Sequence, residues 1–116
     1  MRPHHKLDVW KKSLDFVTEV YELTFTFPET EKFSLVSQLR RAAISIPSNI
    51  AEGAARESRK EFRNFLSIAQ GSAAEIETQL IISNRLRYVN KERLDKMINL
   101  LADISRMLTG LRKSLL

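Results

Sequence analysis

The chain has no cysteine, only two histidines, and three glycines that stand alone at positions 53, 71 and 110. Without cysteine there is no disulfide, no thiolate metal site and no cysteine nucleophile, a composition that fits a reducing compartment. Isolated glycines cannot build a phosphate-cradling loop, and two histidines confined to positions 4 and 5 leave no Ser-His-Asp set. Glu-x-x-His pairs on facing helices, which a ferritin-like di-iron centre needs, are missing. Helical RNases with an arginine-to-histidine catalytic spacing are excluded likewise, because no histidine follows Arg40, Arg41, Arg56 or Arg59. Adjacent His4 and His5 in a basic N-terminal arm (1–7) do not make a metal site by themselves, which needs further ligands in fixed geometry. No apolar run reaches the length of a membrane span, and Met1 to Leu7 is too polar for a secretory leader, so the expected location is the cytoplasm, with no membrane partner and no cofactor.

What the chain does have is 116 residues, enough for one domain with a real core, and an ordinary globular balance of 43% hydrophobic to 28% charged residues that argues against disorder. Nineteen Lys and Arg against fourteen Asp and Glu leave a formal charge of +5, a balance that favours polyanionic partners without naming one.

Apolar periodicity is helical throughout. Asp8 is the expected N-cap of a first helix carrying two stripes: Trp10, Leu14, Val17 and Tyr21, and beside it Val9, Phe16, Val20, Leu23 and Phe27. One neighbouring helix cannot cover both stripes, so the second is expected deep in the bundle or against another subunit. Pro28-Glu29-Thr30-Glu31 reads as a loop, and a second helix is predicted from about Glu31 to Arg56. Ser58-Arg59-Lys60-Glu61 is a capping-box pattern opening a third, with Phe62, Leu66, Ala69, Ala73, Ile76 and Leu80 at heptad spacing and an end near Arg87. Asn90 caps a fourth, whose Leu94, Met97, Leu101, Ile104, Leu108, Leu111 and Leu115 form the cleanest seam in the chain. Four long helices with short joins and no strand pattern predict an all-α, antiparallel up-down-up-down four-helix bundle in a single domain (1–116), roughly 37 Å long at about 1.5 Å per residue.

The second helix contains Pro47, yet Leu35, Leu39, Ala42, Ile46 and Ile50 keep one apolar face through it. An interior proline lacks an amide hydrogen and crowds the preceding turn, at about 3 kcal/mol, so a kink held by packing is expected there. Asn49 and Glu52 are placed to satisfy backbone groups the kink loosens. With a turn centred near Glu57, Gly71-Ser72-Ala73-Ala74 falls opposite Arg40 to Ala43. That register predicts small-residue contact involving Gly71 and an Arg40–Glu75 ion pair. Ile44 projects off the core stripe, offering apolar surface for subunit packing.

Arg56, Arg59, Lys60 and Arg63 recur around the corner between helices two and three, with Arg40 and Arg41 further along the same hairpin. Read as one stripe, these six residues form a candidate nucleic-acid-binding surface whose contacts would be to phosphates, salt-dependent and indifferent to base sequence. Glu57 and Glu61 are interleaved with them, so the competing reading is a solvated charged face on a protein-interaction scaffold that binds no nucleic acid.

The segment Leu39-Arg40-Arg41-Ala42-Ala43-Ile44-Ser45-Ile46-Pro47-Ser48-Asn49-Ile50-Ala51-Glu52-Gly53 resembles the four-helix-bundle family encoded in intervening sequences of bacterial 23S rRNA genes. The likeness extends to Leu7-Asp8-Val9-Trp10-Lys11, to Glu61-Phe62-Arg63-Asn64-Phe65-Leu66, to Ala69-Gln70-Gly71-Ser72 and to Glu75. The resemblance implies a non-enzymatic protomer that assembles into a ring-like homo-oligomer, typically a pentamer. The family is related to the accessory variability determinants of diversity-generating retroelements, basic barrels that bind nucleic acid and a reverse transcriptase. By that likeness Arg40, Arg41, Arg56 and Arg63 are candidates for a basic ring surface.

Overall fold

The computed structural model describes residues 3–116, with backbone alone at positions 5 and 6; the remaining two residues of the basic arm, and the His5 side chain expected to be incidental, lie outside what is described. Four helices follow one another, α1 (Asp8–Phe25), α2 (Leu35–Ala54), α3 (Arg59–Arg85) and α4 (Lys91–Ser114), and no strand occurs among the described residues. They form an antiparallel four-helix bundle measuring 43 × 23 × 22 Å.

Each helix buries the face its apolar spacing marks. On α1 the stripe Val9, Phe16, Val20 and Leu23, with Phe27 just beyond it, is buried, while Leu14 and Tyr21 of the other stripe stay exposed. Leu39, Ile46 and Ile50 of α2, Leu66, Ile76 and Leu80 of α3, and Met97, Ile104 and Leu108 of α4 are completely excluded from solvent and close the core. The two predicted side-chain caps are present: Ser58 Oγ accepts from the Glu61 amide at 3.1 Å and Asn90 Oδ1 from the Arg93 amide at 2.8 Å. Along the α1–α4 seam charged pairs assist the apolar contact, Arg93 to Glu19 at 3.1 Å and Lys12 to Asp103 at 3.4 Å.

Helix ends depart from the sequence reading. Leu7, not Asp8, occupies the N-cap of α1, because a 3-10 turn over Pro3–Lys6 runs straight into the helix; Asp8 instead places its carboxylate in the first turn, where the helix dipole favours it. This turn packs on α1 and α2, with the His4 ring edge-on to Trp10 at 4.9 Å, so the described part of the arm is a docked element. The second helix starts at Leu35 rather than Glu31: Glu29–Glu31 is a 3-10 turn, and Ser34 has a non-helical backbone (φ −124°, ψ −98°). Glu31 serves as a tether there, accepting from Ser34 Oγ at 2.7 Å and from Tyr88 Oη at 2.8 Å. The third helix ends at Arg85, and Arg87 at φ 67° lets the Tyr88 and Arg87 amides bond back to Ser83 and Asn84, which stops the helix two residues early.

Around Pro47 α2 stays helical from Leu35 to Ala54. Asn49 Nδ2 donates to the Ser45 carbonyl at 2.8 Å and to Ser45 Oγ at 2.9 Å, and Ser45 Oγ meets Ser72 Oγ of α3 at 2.9 Å. Glu52 serves no backbone group and pairs with Arg56. The Ser45–Ser72 and Gln38–Gln79 contacts fix the hairpin register a few residues from the expected one. Glu75 accordingly accepts from Gln79 at 3.2 Å, and the Arg40–Glu75 pair does not form. Gly71 is likewise not a packing residue, being exposed with no neighbour near the place of a Cβ; the close approach is at Gly53, where a Cβ would stand 2.8 Å from Phe65 Cβ and 2.9 Å from Phe62 Cδ1.

Two outcomes follow for urea unfolding and its pH dependence. Gly53→Ala lowers stability by about 1 kcal/mol, overpacking outweighing the helix-propensity gain, whereas Gly110→Ala, into open space, raises it by about 1 kcal/mol. The Ser34 hydroxyl first, and then Tyr88, hold the Glu31 carboxyl below its ordinary range, so its contribution is present above the unfolded carboxylate pKa, about 4.3, and lost as pH falls through the lower folded value. Tyr88→Phe should therefore make the acid limb of the stability curve shallower below about pH 4.5.

Candidate nucleic-acid interface

The six arginine and lysine candidates do not form one stripe. A helix turns about 100° per residue and rises about 1.5 Å, so Arg40 and Arg56 stand roughly 24 Å apart along the bundle. Arg40 faces α1, donating from Nε to Thr24 Oγ1 at 3.0 Å with its guanidinium 4.4 Å from the Tyr21 ring centroid. Arg41 is exposed and forms no ion pair among the described residues. Both border an open cleft of about 470 Å³ shared with Tyr21, Lys32, Phe33 and Ile44, a surface mainly apolar in character.

The other four gather at the opposite end. Arg56 is partly committed, its Nη2 3.2 Å from Glu52 Oε1 and its guanidinium 5.0 Å from the Phe65 ring centroid. Arg59 and Lys60, in the first turn of α3, are exposed with no ion pair among the described residues. One turn on, Arg63 reaches across to α4 and donates from Nη1 to the Leu115 carbonyl at 2.7 Å, where a cation suits the electronegative end of that helix.

This crossing brings in two cations that the sequence reading passed over. Arg112 and Lys113 lie in the last turn of α4 and line a cleft of about 240 Å³ with Arg63, Thr109 and Leu116. Gln70 fixes Arg112 by accepting from Nη1 at 2.6 Å, and itself donates to Thr109 Oγ1 at 2.7 Å. Their signal was present in the topology: in an up-down-up-down bundle the end of helix four must return beside the start of helix three. The resulting cap carries Arg56, Arg59, Lys60, Arg63, Arg112 and Lys113 against Glu52, Glu57 and Glu61. Among the described residues no group of three His, Asp or Glu side chains comes together to hold a metal, and no helix is long and apolar enough to cross a membrane.

Fold and site together define a four-helix bundle with a basic cap. The chain belongs to the 23S rRNA-intervening sequence protein family, which it matches over residues 5–110. It is similar to a crystal structure of a protein of unknown function from the S23 ribosomal protein family of Bacteroides thetaiotaomicron, with 31% identity, a TM-score of 0.83 and coverage of 90% of this chain and 98% of that one. No curated protein matches the chain.

Arg63 should carry structural weight as well as charge. Arg63→Ala is expected to cost about 1 kcal/mol by removing a charge-assisted bond to the Leu115 carbonyl, and to speed amide exchange in the last turn of α4; Arg59→Ala, with no partner to lose, should leave both unchanged.

Proposed function

We propose that this chain is a non-catalytic, self-assembling helical protein that binds the phosphate backbone of nucleic acid through the basic cap formed by α3's first turn and α4's last. The observation that carries this reading is the pair Arg59 and Lys60, exposed and unneutralised beside Arg63, Arg112 and Lys113. Cations not consumed by internal pairs are the ones available to displace counterions from a polyanion. The three glutamates on the cap offset part of the charge and leave a surplus of one sign, which suits backbone contact and provides nothing that reads a base edge. Arg40 and Arg41 take no part: one is bound to α1 and both lie on a different face. Membership of a family named for an rRNA intervening sequence agrees with a nucleic-acid role.

Titration of salt against binding to a fluorescent RNA hairpin, a single strand and a DNA duplex tests the reading. Arg59→Glu with Lys60→Glu should weaken binding at least tenfold and reduce the slope of log K on log salt by about 2, equally for all sequences of one nucleic-acid type. Binding that is absent from the wild type at low salt, or unaffected by the double reversal, would overturn it in favour of a protein-interaction scaffold.

A further inference from the structure

Three cations share the cleft between the start of α3 and the end of α4. Arg63, Arg112 and Lys113 line it with Thr109 and Leu116, and no acidic side chain does. On the α1–α4 seam the half-buried Arg93 and Lys12 are paired with Glu19 and Asp103; in the cleft none of the three cations takes part in an ion pair among the described residues. Like charges gathered without a counterion repel one another, and a concave wall of one sign focuses its field onto an approaching anion. Each guanidinium is held, half-buried, by one neutral acceptor: Gln70 Oε1 for Arg112 at 2.6 Å and the Leu115 carbonyl for Arg63 at 2.7 Å. The rest of each donor fork is uncommitted, and Arg112 Nε is buried with no acceptor among the described residues. Thr109 Oγ1 accepts from Gln70 Nε2, which leaves its own hydroxyl proton to donate. The carbonyl end of α4 opposes an anion here, and Arg63 offsets that by donating to Leu115.

Shape and charge narrow the ligand. The cleft encloses about 240 Å³, room for a phosphate group. A phosphate inside a strand carries a single negative charge and has a sugar on each side, which suits an open surface. A phosphate monoester carries about −1.5 to −2 at pH 7 on three acceptor oxygens, with a substituent on one side only, and so fits a recess lined by several cations. We propose that the Arg63–Arg112–Lys113 cleft binds a phosphate monoester, carried at the end of a nucleic-acid strand or on a free nucleotide. Arg59 lies one turn before Arg63 on α3, so a strand whose terminal phosphate sits in the cleft continues over the uncommitted Arg59 and Lys60. The proposal rests on the phosphate-binding reading given above and adds a preference for strand ends that backbone contact alone does not produce.

Fluorescence anisotropy of one short, internally labelled RNA strand tests the assignment at constant salt, with the strand carrying a 5′-phosphate, a 3′-phosphate or hydroxyls at both ends. One of the phosphorylated forms should bind about tenfold more tightly than the hydroxyl form, as an added set of charge-assisted bonds allows. A hydroxyl-ended strand one nucleotide longer, which gains a charge but no monoester, should show no such gain. Lys113 is exposed and its side chain has no partner among the described residues, so Lys113→Gln disturbs no internal contact; it should lower the preference, and combined with Arg112→Gln it should bring the ratio of affinities close to one. Arg59→Glu with Lys60→Glu should weaken both forms and keep the ratio. A wild-type ratio near one in a protein that still binds strands through Arg59 and Lys60, or a preference untouched by the Arg112 and Lys113 changes, would overturn the cleft proposal and leave the backbone reading standing. Adenosine monophosphate that binds the wild type but not the Arg112→Gln, Lys113→Gln protein, with no strand bound at all, would assign the cleft to a free nucleotide and overturn the backbone reading. Failure of both strand and nucleotide to bind would overturn the two together.

Discussion

The seam between α2 and α3 cannot open or slide at Gly53, and most of the molecule is placed by that restriction. With Phe65 Cβ and Phe62 Cδ1 already inside the distance a Cβ would need, the two backbones meet as closely as side chains allow at the hairpin's closed end. Interiors pack at crystal-like density, so such a contact fixes rotation as well as separation. From there the register runs outward through Ser45–Ser72 to Gln38–Gln79, with fully buried Ala43 and Ala69 on the facing surfaces. The hydrogen-bonded serines serve a second purpose. They sit two residues before Pro47, where Asn49 also bonds Ser45, so the turn that a proline weakens is the one joined most firmly to its neighbour.

How far the sequence could be read depended on whether a signal was periodic or relational. Periodicity located the four helices and most of the core residues, because burial of one face is the condition that spacing records; the fault-free run from Leu94 to Leu108 on α4 is buried or half-buried as expected. Caps at Ser58 and Asn90 were legible for a similar reason, since the chemistry is complete within four residues. Relations between helices were not. The pairs Ser45–Ser72 and Gln38–Gln79 centre the hairpin between Ser58 and Arg59 instead of at Glu57, which moves facing residues by about three positions, and the phase of α2 points Arg40 at Thr24 and Tyr21 of α1. Gly71 looked like the packing glycine and Gly53 like a helix end; their roles are reversed, because only the three-dimensional approach of Phe62 and Phe65 tells them apart.

The same limit explains the candidate site. A string of basic residues along a hairpin invites reading as a stripe, but α2 presents Arg40 towards α1 and leaves Arg41 exposed, while α3 presents Arg63 towards α4. What the sequence treated as one surface is two, and the end of α4 supplies cations that a linear reading had no reason to join to Arg63. The two apolar stripes on α1 came out more faithfully: the second, Val9 to Phe27, lies in the core, while the first is half-buried at Trp10 and Val17 and exposed at Leu14 and Tyr21. Phe25 and Phe33 belonged to neither stripe and went unnoticed, although an aromatic displaced from the core period next to a turn is the pattern an exposed contact leaves.

Charge is distributed by seam. The α1–α4 seam consumes its cations in pairs with Glu19 and Asp103, so it has little left to attract a polyanion. The cleft at Arg40 and Arg41 holds its basic groups beside aromatics, and a polyanion settling there would have to be desolvated against apolar surface at a cost that phosphate contacts in water do not incur. The cap gathers exposed unpaired cations, Arg59 and Lys60, with Arg63, Arg112 and Lys113 in a freely hydrated setting, which is the condition for counterion release.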